Sequence, residues 1–332
     1  MLKPDSVVMV TGASGGLGRA IAHAFASKGC RIGLIARNPE ALEATKREVE
    51  HLGGQALVLP LDVTDAQAID DAATKLEETF GPIDVWVNDA MTSVFSPVKE
   101  MKAEEYKRVT EVCYLGYVYG TMSALRRMQP RDRGTIIQIG SALAVRSIPL
   151  QSAYCASKHA IIGFTDSLRC ELHHDKSNVK LTVVQMPAMN TMQFTWVKSR
   201  LPNKPQPVPP IFEPEVAAKV VLHAAEAAYP RREYWVGTPT VEAIVGQKFI
   251  PGLLDIYLGK TGYKAQQRST PDSATRPNNL WEFVPGTHSA RGPFDDRSCS
   301  WSPQVEANIN RKWLALGAAA LAVGFLGIRK LA

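Results

Sequence analysis

The chain is poor in cysteine. Its 332 residues hold five, Cys30, Cys113, Cys155, Cys170 and Cys299, an odd number spread widely. No C-x-x-C pair or Cys/His ligand spacing occurs, and the adjacent His173 and His174 do not share one helix face. A disulfide framework and a structural zinc site are therefore not expected, and no metal is predicted; reduced thiols are. The first residues, M-L-K-P-D-S, lack an apolar signal-peptide core and run straight into a strand-like segment. Charge is also scarce where a nucleic-acid binder needs it. The net charge is +6, yet from Lys260 onward ten Lys/Arg face five Asp/Glu, leaving residues 1–259 close to neutral. No nucleic-acid partner is expected, since such binding requires a basic patch on the folded domain. A basic tail beside an apolar segment points instead to a membrane surface.

What is present is an alternation of strands and helices. Val7–Thr11 is an apolar run followed by T-G-A-S-G-G-L-G, with Gly12, Ser14, Gly16, Leu17 and Gly18 leading into a helix. A strand, a glycine-rich turn and a helix N-terminus together form a pyrophosphate site, because backbone N–H groups and the helix dipole face the anion. Arg31–Ala36 is a second strand. Where an NAD site carries an acid near this strand's end, the chain has Ala36 and then Arg37, a cation suited to a 2′-phosphate, which favours NADP(H). Further strands are read at 56–60, 83–87, 134–139, Lys180–Gln185 and 233–236, with a capping box at Thr64/Gln67 and one long helix over 103–128. The fold class is α/β: a Rossmann-type, doubly wound, three-layer fold with a seven-stranded parallel sheet and a C-terminal extension. Gly12–Gly18, Arg37, Asp62, Asn88 and Ser141 all fall at carboxyl ends of strands, where such sheets bind ligands.

The chemistry is concentrated in residues 151–168. Tyr154 and Lys158 are four apart, one turn along a common helix face. A neighbouring ammonium favours the phenolate and would bring a Tyr into range for proton transfer near neutral pH. Ser141, thirteen residues upstream, offers a hydroxyl for a substrate oxygen. Residues 189–210, with Phe194, Trp196, Leu201 and five prolines, are expected as a loop over the site. An apolar helix over 241–258 would shield the substrate mouth, touch a membrane or pack on the core.

The order T-G-A-S-G-G-L-G, Asp62, N-D-A, Ser141, Y-C-A-S-K and P-A-M-N-T resembles the short-chain dehydrogenase/reductase family over about residues 5–240. The resemblance implies Tyr154 as general acid/base, Lys158 as the residue that tunes it and holds the nicotinamide ribose, and Ser141 as the group that orients the carbonyl or carbinol. It further implies that Asp62 and Val63 meet the adenine, that Asn88 and Ala90 line the cofactor, and that Pro187 and Thr191 lie at the nicotinamide. Three positions depart from the family pattern: N-D-A-M at 88–91 for N-N-A-G, Ala188 for Gly, and Cys113 where the family has the Asn that supports a proton relay.

The expected organisation is a dinucleotide-binding domain over 1–262, a poorly ordered linker over 263–310 and a membrane anchor over 311–332. The linker reading rests on its Gln, Ser, Thr, Pro, Asn, Asp and Arg content, although Trp281, Phe283 and Phe294 could dock on the domain. Residues 313–328 are uncharged and apolar all round; as a helix they would reach about 24 Å, flanked by Arg and Lys at both ends. A helix buried in a dimer interface is the other reading, so a homo-oligomer stays open. The expected activity is NADP(H)-dependent interconversion of a carbonyl and an alcohol on a lipophilic small molecule, with the catalytic domain in the cytoplasm, anchored or free. The alternative is a cofactor-binding sensor with little turnover.

Overall fold

The computed structural model describes residues 2–273 and 275–311. Seven strands form one parallel sheet: β1 (Val7–Thr11), β2 (Arg31–Ala36), β3 (Gln55–Pro60), β4 (Ile83–Asn88), β5 (Thr135–Ile139), β6 (Lys180–Gln185) and β7 (Glu233–Trp235). Their order is β3-β2-β1-β4-β5-β6-β7, all neighbours parallel. Every residue of β1 and β5 is buried, as covering on both faces requires. Helices α1 (Gly16–Ala26), α2 (Pro39–His51) and a later helix, Pro214–Glu226, pack one face through Ile21, Phe25, Leu42, Val49, Val216 and Val220. On the other face α3 (Ala66–Phe80), α4 (Ala103–Thr110), α5 (Gly116–Met128) and α6 (Ser152–His174) pack around Ile69, Leu76, Val109, Ala124 and Leu168. The strand order reverses at β1/β4, which opens a crevice at their carboxyl ends.

Local chemistry departs from expectation in three elements. Asp65, not Thr64, caps α3 by accepting from Ala68 N–H at 3.0 Å; Thr64 is occupied with Asp62. The long helix over 103–128 is interrupted by a π-turn, Glu111–Leu115, between α4 and α5. Within it the Cys113 thiol donates to Thr92 O at 3.0 Å and accepts from Thr92 N–H at 3.3 Å. The helix over 241–258 breaks at Ile250, because Pro251 lacks an N–H and restricts its predecessor. Two helices result, Thr238–Phe249 and Pro251–Ala265.

The linker expected over 263–310 is folded onto the domain, and a boundary at 262 would fall inside the helix Pro251–Ala265. Leu280, Phe294 and Val305 are buried at 0, 1 and 1% exposure. Ser298–Cys299 pairs with Ile211–Phe212, and Pro303–Ile309 is helical. Composition misled because the segment is held by its backbone: Arg19, Arg37, Asn38 and Arg108 donate to its carbonyls. Among the described residues no helix is long and apolar enough to cross a membrane. The anchor expected at 313–328 lies outside the described residues.

Phe294 tests the docked tail. Its ring meets Phe194 at 5.8 Å and lies under the Arg268 and Arg297 guanidinium groups. Phe294→Ala is expected to cost about 3 kcal/mol in urea unfolding, whereas a free linker would register no change.

Candidate active site

A cavity of about 440 Å³ runs along the carboxyl ends of the strands. Its floor is the turn after β1. Gly12 has φ +76°, and a Cβ there would come within 3.0 Å of the Ala90 backbone. A Cβ on Gly18 would overlap the Gly12 carbonyl. These two glycines are required by close approach, one of strand ends and one of turn and helix. Thr11 Oγ1 accepts from Asp89 N–H at 2.9 Å and Ala90 N–H at 3.1 Å, locking the end of β1 to the end of β4.

Ser14, Gly16 and Leu17 line one end of the cavity together with Arg37, Asp62, Val63 and Ala90. Arg108 pairs with Asp62 at 2.5 Å, and Thr64 donates to the same carboxylate through N–H and hydroxyl. Burial works against the charge of Asp62, but these donors outweigh it and hold the carboxyl below its ordinary range. Arg37 sits at the rim, its guanidinium donating to Trp281 O at 2.7 Å and Asn279 O at 2.6 Å.

Ser141, Tyr154, Lys158 and Pro187 line the other end, and Thr191 stands against Gly16. Tyr154 and Ser141 face each other across this end, where the Ser141 side chain favours the ionised phenol; Ser141 Oγ accepts the Leu143 N–H at 3.1 Å. Gln185 Oε1 accepts the Ser141 N–H at 2.7 Å and so fixes the residue that follows β5. Lys158 is 2% exposed and donates to Tyr117 OH at 2.9 Å and Ile139 O at 2.7 Å. Its ammonium lies 5.5 Å from the Tyr154 ring centroid. The expected lowering of the phenol by a touching cation is therefore not what the structure holds. Burial pushes the Tyr154 phenol well up, so it is a proton donor at neutral pH. Burial also draws Lys158 down and Asp89 up, while the attraction between those two opposes both shifts.

Two expected cofactor residues lie beneath the cavity wall rather than in it. Asn88 is fully buried, accepting from Trp86 Nε1 at 2.9 Å and donating to Gln138 Oε1 at 2.9 Å. Gly18 is packed under Gly12 and beside the Asp89 carboxyl. Sequence reasoning missed Tyr117, which bears no motif, and Gln185. It also missed Asn279, Phe283, Val284 and His288, which complete the wall from the tail. Asp89 was visible only as a departure, N-D-A for N-N-A.

The cradle suits an extended dinucleotide. Glycines clear its floor, the N-terminus of α1 faces the cavity, Asp62 and Arg37 stand at one end, and buried Lys158 stands at the other. Fold and site together define a nicotinamide-dinucleotide oxidoreductase. The short chain dehydrogenase family model matches residues 6–200, and the chain belongs to that family. It is 30% identical over 286 residues, 86% of its length and 80% of the relative's, to the uncharacterized oxidoreductase YxnA of Bacillus subtilis. It is 32% identical over 220 residues to a fatty acyl-CoA reductase of Acinetobacter baylyi, covering 66% of this chain and 72% of that one. A metagenomic short-chain oxidoreductase solved in complex with NADP is 30% identical with a TM-score of 0.59, over 70% of this chain and 97% of that one.

The depressed Asp62 carboxyl gives a signed pH prediction. A group with a lowered folded pKa adds stability above its unfolded value, here about 3.8, and loses it as pH falls through the folded one. Asp62→Asn should therefore cost about 1–2 kcal/mol at pH 7. In urea unfolding the gap to wild type should shrink once the pH drops below the ordinary carboxylate range.

Proposed function

We propose that the chain is an NADP(H)-dependent oxidoreductase that interconverts a carbonyl and an alcohol on a lipophilic small molecule, with Tyr154 as general acid/base. The observation that carries this reading is the Tyr154–Ser141 hydroxyl pair, with Lys158 buried behind it, in the same cavity as the Gly12–Gly18 turn. A nicotinamide held there supplies or accepts the hydride. Ser141 Oγ and Tyr154 OH converge on one substrate oxygen, and the protonated phenol delivers its proton to that oxygen in the direction of reduction. Lys158 keeps a positive charge behind the phenol as the phenolate forms. Tyr117 OH and Ile139 O hold that ammonium in place, and Cys113, which stands where the family's Asn would be, spends its thiol on Thr92 O. Asp62 and Val63 would face the adenine, Pro187 and Thr191 the nicotinamide.

Arg37 supports the preference for NADP(H). Two of its five N–H donors hold tail carbonyls, and three remain for a 2′-phosphate. A lipophilic substrate is supported by the cavity wall beyond Tyr154, where Ile148, Phe194, Val208, Pro209 and Leu258 gather. The similarity to a fatty acyl-CoA reductase points the same way. Membrane attachment through 313–328 follows from the sequence alone, and carbonate extraction of membranes tests it: release into the supernatant would sink it.

Tyr154→Phe should bind NADPH within about twofold of wild type yet lose roughly 10²-fold or more in turnover across a panel of aldehydes and ketones. If wild type binds NADPH and reduces nothing, the protein is a cofactor sensor instead. Arg37→Asp should move the ratio of NADPH to NADH affinity by about tenfold or more toward NADH; an unchanged ratio would remove the cofactor assignment.

A further inference from the structure

We propose that residues 276–294 are a second wall of the dinucleotide site, a strap that must lift before the cofactor enters or leaves. The proposal rests on the dinucleotide reading given above. The family match ends at residue 200, so this wall is built from chain beyond it.

The strap is fastened by the very residues that form the adenosine end of the cleft. Arg37 takes the carbonyls of Trp281 and Asn279, at 2.7 and 2.6 Å. Asn38 Nδ2 donates to the carbonyls of Val284 and Gly286, both at 3.0 Å. Arg108, which pairs with Asp62, gives its Nε–H to Leu280 O at 2.9 Å. All five acceptors are backbone carbonyls, so the fastening depends on the path of the chain more than on its side chains.

Two buried side chains, Leu280 and Phe294, and a ring contact at His288 also fix the strap. Leu280 is fully buried among the apolar residues under the sheet. The His288 imidazole meets the Trp196 indole at 4.5 Å between centroids, edge to face, joining the strap to the loop that follows β6. Between these points Asn279, Phe283, Val284 and His288 line the cavity. Ser289 O then accepts the N–H of Gly16, the first residue of α1, at 3.0 Å. That donor belongs to the helix end where a diphosphate is held in this fold.

Such a wall encloses what lies beneath it. A dinucleotide seated on the Gly12–Gly18 turn has the strap on its outer side, so release requires the carbonyl fastenings to open first. Coupling is reciprocal: a cofactor retained by the closed strap must stabilise the closed strap by the same factor. Arg37 makes the coupling specific, because a 2′-phosphate on its remaining donors holds the guanidinium in the place from which it grips Trp281 and Asn279.

The test uses the full chain and two readouts that do not need turnover. Hydrogen exchange of amides 279–289 in the wild type should slow by about tenfold on saturation with NADPH, and less with NADH. In stopped-flow fluorescence, Phe283→Ala combined with His288→Ala should release NADPH about tenfold faster and also bind it faster, since the same opening governs entry and exit. Exchange over 279–289 that ignores NADPH, or release within about twofold of wild type, would overturn the strap while leaving the dinucleotide site intact. Absence of any NADPH fluorescence change would sink the dinucleotide reading, and the strap with it.

Discussion

The site depends on the ends of β1 and β4 being held side by side. Thr11 Oγ1 accepts two backbone N–H groups, from Asp89 and Ala90, and this brings the last turn of β4 against the glycine turn after β1. Gly12 then has no room for a side chain, since Ala90 backbone stands 3.0 Å from where a Cβ would be. Gly18 has none for the opposite reason, being pressed against Gly12 from the helix side. The crevice at the strand reversal is thus a consequence of topology, while its depth is set by one hydroxyl and two missing methyl groups.

Around this frame the chain accepts buried charge that packing alone would not favour. Lys158 and Asp89 are both nearly inaccessible, and a charge taken from water costs several kcal/mol before compensation. Compensation is local. Lys158 is satisfied by a phenol and a carbonyl, and its charge favours the ionised Asp89 against burial. Perturbed groups gathered at a cleft, each with a named partner, support the active site proposed above. The phenol of Tyr154 belongs to the same economy. Enclosure keeps its proton on, and the phenol lines the cavity beside Ser141.

Much of this was legible in the sequence, for identifiable reasons. Strands with both faces covered read as apolar runs, and Val7–Thr11, Arg31–Ala36 and Lys180–Gln185 carry that signature without ambiguity. Tyr154 and Lys158 were found because helical spacing is arithmetic. What the spacing does not carry is where the ammonium points: Tyr117, from a different helix, and the carbonyl that ends β5 claim it. Asn88 was assigned to the cofactor by resemblance, yet its amide is spent on Gln138 and Thr121 below the cavity. Side-chain hydrogen bonds over fifty residues of separation leave no mark on local pattern.

The tail exposes a deeper limit of composition as a guide. Polar, proline-containing segments read as linkers because they bury too little apolar surface to offset the cost of ordering. The stretch from 276 to 294 escapes that argument by borrowing its order. Its own apolar contribution is small, chiefly Leu280 and Phe294, but the donors that hold its carbonyls are side chains already fixed by the sheet. Arg37 and Asn38 follow the end of β2, Arg108 stands on α4 beside Asp62, and each has N–H groups for the tail. A chain passing within reach satisfies them and is itself ordered, so the same residues that make the cleft polar also give it a lid of backbone. The extension is thereby part of the site's architecture rather than an appendage to it.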